Sequence, residues 1–562
     1  MEIETRLVII KYLFVLMGVV LLIRLFYWQG LMASELSEQA RAQHQSSNQI
    51  LAPRGNILSQ DNTWLAASQE AWLLFASKPE LKEDTKTIAV KLAPLLGEEK
   101  ERIQSLLDRP EAVWIPIKHK ISTEIKKNIQ AMEIAGIGFD KQEMRVYPEG
   151  SLSAQLLGFV GKDEEGNDKG YFGLEGQYDL PLSGKPGYLQ READARGAPI
   201  IFGDSKEISA VGGADLVTHV DKTIQLVVEQ KLKQGLEKYG AISGSAVVID
   251  PKTGGVMAIA SFPSYDPFKY YDFTDELFKN PVISDTFEPG SVFKPIVMAS
   301  GLDAGVINPE TVCDICHGPY KVDKYFIETW DQKYYANSTM TDVILHSDNV
   351  GMTYVGNKLG AERLYDYLDK FGFGGLTGID LQGEANPRLR KKGTWNVVDT
   401  ATAAFGQGVA VTPIQMVKAI AIIANKGMNV EPRVVDKIKG LGWEQDLPQS
   451  QEKRVISETA ANQVTKMMIQ AVKNGEAKWA VPKGFNVAGK TGTAQIPLQG
   501  HYDAEKTNAS FVGFAPPSDP KFVMFITLKE PKTSPWASET TAPLWFSIAK
   551  EMFPYLGIQP GD

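Results

Sequence analysis

Glu288-Pro289-Gly290-Ser291-Val292-Phe293-Lys294 runs straight into Pro295-Ile-Val-Met-Ala-Ser, so a serine and a lysine three positions apart open an apolar helix. Residues three apart on a helix share a face, with Cβ atoms about 5 to 6 Å from each other, which lets the amine reach the hydroxyl. A serine nucleophile needs such a base one turn away, and lysine serves once burial or a second cation lowers its pKa. Spacing alone is weak, because it recurs at Ser450/Lys453, Ser518/Lys521 and Ser547/Lys550. Context separates the four. Ser450 sits in a polar loop and Asp519-Pro520 follows Ser518, whereas Ser291 stands at a glycine-led helix start, where backbone N–H groups favour a developing oxyanion.

Two further elements suit the same chemistry. Ser347-Asp348-Asn349, read as lying inside a helical stretch, offers a hydroxyl for proton relay and an amide for a substrate carbonyl. Lys490-Thr491-Gly492-Thr493 follows a strand pattern and offers an ammonium, two hydroxyls and a glycine that lets another backbone come close. The bare patterns recur at Ser46-Ser-Asn48 and Lys252-Thr-Gly254, so order and spacing carry the signal: Ser-x-x-Lys, Ser-x-Asn 56 residues on, Lys-Thr-Gly 143 further on.

Outward from this core, 215–220 reads as a short strand and 223–239 as an amphipathic helix. Residues 245–250 and 256–260 read as buried strands joined by Pro251-Lys-Thr-Gly-Gly. Helices dominate 291–427, strands return at 485–496, 509–514 and 522–528, and a helix over 542–552 closes the pattern. Strands from both ends with helices between predict one sheet covered by helices, of α/β or α+β class. Short apolar runs and turn signals predict an irregular α+β region over 51–212.

The 562 residues are 43% hydrophobic, with 68 acidic against 59 basic side chains, a net charge of -9 and two cysteines. That excludes a disordered chain and a disulfide scaffold, and argues against nucleic acid as a partner. Charge vanishes over 12–23 (YLFVLMGVVLLI). With Lys11 and Arg24 snorkelling, 7–28 reaches about 33 Å as a helix, enough to cross a hydrocarbon layer, and Tyr27 and Trp28 suit an interfacial belt. No Ala-x-Ala cleavage pattern follows, since Leu31 precedes Ala33, so a retained single-pass anchor is expected over a signal peptide. Arg6 and Lys11 before the segment balance Arg24 and Arg41 after it, which leaves orientation open. Residues 34–49 read as a polar stalk.

With its three motifs, the chain resembles the class B penicillin-binding proteins, membrane-anchored peptidoglycan D,D-transpeptidases. The likeness extends to Arg54-Gly-Asn-Ile, Tyr147-Pro-Glu-Gly, Gly173-Leu-Glu, Tyr178-Asp, Leu182-Ser-Gly, Phe405-Gly-Gln-Gly, Thr412-Pro-Ile-Gln and Phe511-Val-Gly-Phe-Ala-Pro. The resemblance implies a cytoplasmic tail (1–6), a transmembrane helix (7–28), a linker (29–50), a pedestal or dimerisation-type domain (51–212) and a β-lactamase-like transpeptidase domain (213–562). It implies Ser291 as the acylated nucleophile, Lys294 as its base, Ser347 as proton relay and Asn349 as holder of the substrate amide. Lys490, Thr491 and Thr493 would grip the carboxylate of a D-Ala-D-Ala stem peptide, with Gly492 between them. The N–H groups of Ser291 and Thr493 would form the oxyanion hole. Acylation by β-lactams, a catalytic domain outside the cytoplasmic membrane, and a SEDS-type glycosyltransferase and other cell-wall proteins as partners follow from the same likeness. The short link between 147–150 and 173–175 favours a division-type over an elongation-type member. Two departures stand out: Ser59-Gln60-Asp61-Asn62 replaces the family's Asp-Arg-x-Gly, and Ser538-Glu-Thr-Thr-Ala-Pro replaces a glycine-rich approach to Ala-Ala-Pro.

A serine β-lactamase shares the triple, but class A members use a Glu-x-x-Leu-Asn glutamate between the second and third motifs, and none occurs here. A penicillin sensor with the same fold is the non-enzymatic rival. Cys313-Asp-Ile-Cys316-His317 formally matches a c-type haem attachment pattern, although nothing else in the sequence supports haem or zinc, and a disulfide and free thiols both remain open. No metal or cofactor is called for: His-Glu-x-x-His and Gly-x-Ser-x-Gly are both missing.

Overall fold

The computed structural model describes residues 3–36, 45–192, 205–448, 453–498 and 501–561; part of the expected stalk (37–44) and Ser450 lie outside them. The chain forms two compact units, Met1–Pro53 with Gly184–Gly213, and Arg54–Ser183 with Ala214–Asp562.

In the first unit the helix Ile3–Phe26 continues as a π-helical turn, Tyr27–Leu31. An 18-residue window of these 29 residues has a mean hydropathy of 2.4 and none of it is buried, and the segment is about 44 Å long as a helix, sufficient to cross a membrane. The end of the expected stalk is instead a strand, Gln45–Ile50, antiparallel to Gly187–Glu192, which in turn pairs with Ser205–Ile208. Its sequence, QSSNQI, has no apolar alternation, so the partner strand defines it rather than local pattern.

Among the described residues the second unit holds two large sheets and two two-stranded ones, Phe159–Lys162 with Asp168–Tyr171 and Tyr320–Val322 with Tyr325–Ile327. The seven-stranded one is centred on the long strand Trp64–Ser77, flanked by Trp114–Ser122 and Ile137–Val146. It also takes in Ile57–Leu58, Asp215–Thr218 and the hairpin Val435–Gly440/Trp443–Asp446. Three helices, Thr85–Leu96, Lys100–Leu107 and Thr123–Gln130, close a local core around Leu74, Leu92, Ile103, Ile115 and Ile129. Several sequence motifs meet at a buried charge cluster: Arg54 Nε and Arg145 Nε donate to the two oxygens of Glu175 at 2.7 and 2.6 Å, and Arg54 Nη1 reaches Asp179 at 2.7 Å. Gly55 is tied to this packing, since a Cβ there would lie 2.0 Å from the Ala214 carbonyl oxygen. In the departing tetrad Asn62 takes φ 61°, the left-handed turn conformation that its side chain tolerates.

The second sheet is antiparallel, in the order Val256–Phe262, Ser243–Ile249, Phe522–Lys529, His501–Ala515, Ala488–Leu498. Strands from both ends of the domain thus pair in one sheet, as their order along the sequence predicts. One face packs on Lys222–Tyr239 and Thr541–Tyr555 through Val228, Val248, Phe511, Met524, Ile526 and Trp545. The other covers Lys294–Asp303, Pro413–Ala424 and Glu458–Asn474 through Val247, Val512, Phe525, Ile296, Ile420 and Val464. Helices on both faces of one antiparallel sheet make the expected sheet covered by helices, on the α+β side of the two classes. Ala488–Leu498 is the edge strand on the side of the nucleophile, and that placement builds the site.

Candidate active site

Ser291 lies in a 3₁₀ turn, Gly290–Phe293, and Lys294 begins the α-helix proper, so the pair straddles a junction instead of sharing one regular helix. Glycines hold the turn in place. Gly290 has φ 55° and its N–H donates to Gly406 O at 3.0 Å; a Cβ on Gly406 would come within 2.3 Å of Gly290 O. Opposite, Gly492 lets the edge strand approach: a Cβ there would stand 2.8 Å from Val292 Cγ1 and 3.0 Å from its backbone nitrogen. The first motif and the third are therefore in van der Waals contact.

Ser347-Asp348-Asn349 is a correction to the sequence reading. Ser347 and Asp348 lie between the helices Met340–Leu345 and Asn349–Leu359, and Asn349 opens the second. Asp348 is the reason: as N-cap its carboxylate accepts from the N–H groups of Val350 and Gly351 at 2.7 and 3.2 Å, which starts a new helix. The break leaves Ser347 at φ 55° and turns its hydroxyl toward Ser291, donating to Ser291 Oγ at 3.0 Å.

Lys294 is fully buried, and its Nζ donates to Ser347 O (2.5 Å), Ser347 Oγ (3.2 Å) and Asn349 Oδ1 (2.8 Å). Among the described hydrogen bonds its route to Ser291 runs through the Ser347 hydroxyl; spacing alone suggested direct contact. Burial, and after it the Lys490 charge, hold the Lys294 amine well below its ordinary pKa, against the pull of Asp348 and Glu476. Lys490 is 4% exposed, donates to Thr491 O and Oγ1 at 3.2 and 3.3 Å, and is pushed down to about 8 by burial, with Glu476 opposing. Thr493 Oγ1 accepts from the Ala537 N–H at 3.0 Å, which leaves its own proton free to donate elsewhere. All three motifs therefore converge on one cleft. A buried amine whose pKa is held down, two hydroxyls in series and a second buried amine are the parts for serine acyl transfer with a carboxylate-bearing donor.

Four contributors were given no role by the motif reading, although Gly406 lies in a quoted motif. Glu476 is the counter-charge to both lysines, Gly406 seats the nucleophile turn, Glu328 O accepts from Asn349 Nδ2 at 2.9 Å, and Ala537 N–H orients Thr493. Backbone groups and a lone glutamate on a loop carry no sequence pattern; only Phe405-Gly-Gln-Gly gave a signal. Cys313 and Cys316 are joined in a disulfide, which resolves the open choice and leaves no thiolate for haem attachment.

Comparison with known proteins fixes the class. The penicillin-binding protein transpeptidase domain model matches 244–552, and the penicillin-binding protein dimerisation domain model matches 49–218. The chain is 31% identical to stage V sporulation protein D of Bacillus subtilis, over 98% of this chain and 86% of the relative. It is 28% identical to the peptidoglycan D,D-transpeptidase FtsI of Escherichia coli, over 91% and 85%. Its fold is similar to penicillin-binding protein 3 of Mycobacterium tuberculosis complexed with aztreonam, with TM-score 0.71, 27% identity and 92% and 98% coverage. The chain belongs to the class B penicillin-binding proteins, whose activity is peptidoglycan D,D-transpeptidation.

Proposed function

We propose that Ser291 is the acylated nucleophile of a peptidoglycan cross-linking reaction in which Lys294 is the base and Ser347 relays the proton. The observation that carries this reading is the chain Lys294 Nζ, Ser347 Oγ, Ser291 Oγ, at 3.2 and 3.0 Å, with burial holding the lysine well below its ordinary pKa. Ser291 Oγ attacks the carbonyl carbon of the penultimate D-Ala as its proton passes to Lys294. The N–H groups of Ser291 and Thr493 hold the oxyanion, and Asn349 holds the substrate amide. Lys490, Thr491 and Thr493 hold the terminal carboxylate, with Gly492 allowing the close approach. D-alanine departs, taking a proton back through Ser347. The amine of a second stem peptide then attacks the ester, returns its proton by the same relay and frees Ser291 as the cross-link forms.

β-Lactams, which present a strained amide and a carboxylate in the same relation, acylate Ser291 by the first half of this path. The pedestal (51–212) presents the transpeptidase domain (213–562) outside the cytoplasmic membrane. The helix at 7–28 anchors it there, 1–6 lies in the cytoplasm and 29–50 links the two. A division-type role beside a SEDS-type glycosyltransferase and other cell-wall proteins follows from the same reading. Purified protein with lipid-linked substrate tests it: cross-links form with the wild type and not with Ser291→Ala. Cross-linking that survives the substitution, or rapid multiple-turnover hydrolysis of nitrocefin, refutes it.

A further inference from the structure

The two sequence features that the reaction leaves unused, the Cys313/Cys316 pair and the altered approach to Ala542-Pro543, flank opposite sides of the cleft. Residues 313–338 form an excursion between the first and second motifs. Its neck is closed by a Val312–Thr339 bridge and by Cys313 N–H donating to Ser338 O at 2.9 Å, and its root is held by the disulfide and by Cys313, Cys316, Val322 and Ile327 in the main core. This rooted loop delivers Glu328 O to Asn349 and, two residues later, Trp330. On the far side, Ala537 N–H holds Thr493 Oγ1 while the neighbouring Trp536 is fixed through its carbonyl, which accepts from Thr540 Oγ1 at 2.8 Å. The two indoles meet edge to face, with ring centroids 5.1 Å apart and planes at 60°, at 43% and 39% exposure.

A closed circuit results: Ser291, Ser347, Lys294, Asn349, Glu328, Trp330, Trp536, Ala537, Thr493, and back to the nucleophile turn through Gly492 against Val292. The cleft is pinned at its base by the Gly492–Val292 contact, so the spacing of its upper walls, between Asn349 and Thr493, is set by the indole pair. We infer that Trp330 and Trp536 are positioning residues, a brace across the mouth of the site that holds the amide-binding and carboxylate-binding walls at the separation acylation requires. A brace acts on the chemical step whatever the acyl donor carries as a side chain, which separates it from a surface that merely contacts that side chain.

The inference rests on Ser291 being the acylated residue, and 6-aminopenicillanic acid, which has no acyl side chain, is the probe that isolates it. Stopped-flow acylation of the full-length protein in detergent gives the acylation rate constant and the pre-acylation binding constant separately for wild type, Trp330→Ala, Trp536→Ala and the double variant. Loss of an aromatic pair of this geometry corresponds to about a 2- to 13-fold change in rate. The brace predicts that fall in the acylation constant for each single variant, no further fall in the double variant, an unchanged binding constant, and recovery with Trp536→Phe. Unchanged rates with 6-aminopenicillanic acid alongside slowed benzylpenicillin, or single effects that multiply in the double variant, overturn it. Should an alanine variant fail to fold, the comparison of Trp536→Phe with Trp536→Leu decides: equal rates overturn the brace, and a slower leucine variant supports it. A wild type that no penicillin acylates at Ser291 refutes the proposed function instead.

Discussion

Lys490 is a cation in a nearly solvent-free position, and its replacement by methionine should make the protein more stable while disabling it. Burial brings its pKa from 10.5 down to about 8. Below pH 8 both the folded and unfolded lysines are protonated, so the full cost of burying the charge is present. Between about 8 and 10.5 the unfolded state binds the proton and the folded state does not, so stability rises with pH across that window and levels off above it. At about 1.4 kcal/mol per pKa unit the cost at pH 7 is roughly 3 kcal/mol. The two hydrogen bonds to Thr491 return part of it, about 1 kcal/mol, which leaves a net gain for Lys490→Met of about 2 kcal/mol. Thermal unfolding of the full chain at pH 7 should then show a midpoint higher by about 4 °C. The advantage should shrink across pH 8 to 10.5, while penicillin acylation falls about 100-fold or more. A variant less stable than wild type at pH 7, or one whose advantage is independent of pH, would refute the view that the site stores an unfavourable charge.

Ser347→Ala removes the relay, and the acylation rate constant should fall about 10²- to 10⁴-fold with little change in thermal midpoint; a loss below 10-fold in stopped-flow assays contradicts the relay. Glu476→Gln removes the acidic charge that raises both lysines, so Lys294 loses its proton at lower pH and the acid limb of the acylation pH profile should move downward; an upward move reverses the assignment. Gly492→Ala drives a methyl to 2.8 Å from Val292 Cγ1, which must part the edge strand from the nucleophile turn, and acylation should drop by about 100-fold, read as loss of fluorescent-penicillin labelling rate. Glu175→Gln leaves Arg54 and Arg145 buried against a neutral amide and should cost about 3 to 5 kcal/mol in denaturant unfolding, with the acylation rate of the remaining folded protein unchanged.

Much of this architecture was legible in the sequence because it is written in local periodicity. The strand readings at 256–260 and 522–528 fall within observed strands and that at 245–250 overruns its strand by one residue, since each is an apolar run bounded by turn residues. Nonlocal pairing hid the rest. Gln45–Ile50 is a strand only because Gly187–Glu192 lies beside it, and the seven-stranded sheet gathers short pieces from Ile57 to Asp446 that no window could join. At the site, residue types and spacing brought out Ser291, Lys294, Ser347, Asn349 and Lys490 to Thr493, all of which line one cleft. Geometry was less accessible: Asp348 capping a new helix moved Ser347 out of helical conformation and made it the link between lysine and nucleophile. Glu328 and Ala537 act through backbone groups, which any residue type supplies.

The central claim is that Ser291 is the atom-bearing nucleophile of this cleft, and one measurement tests it most directly: labelling with a fluorescent penicillin, competed by unlabelled antibiotic, followed by peptide mass mapping of the adduct. The account predicts a single stable, competable adduct on Ser291 that is lost in Ser291→Ala. An adduct on another residue, or labelling undiminished in the alanine variant, would contradict it.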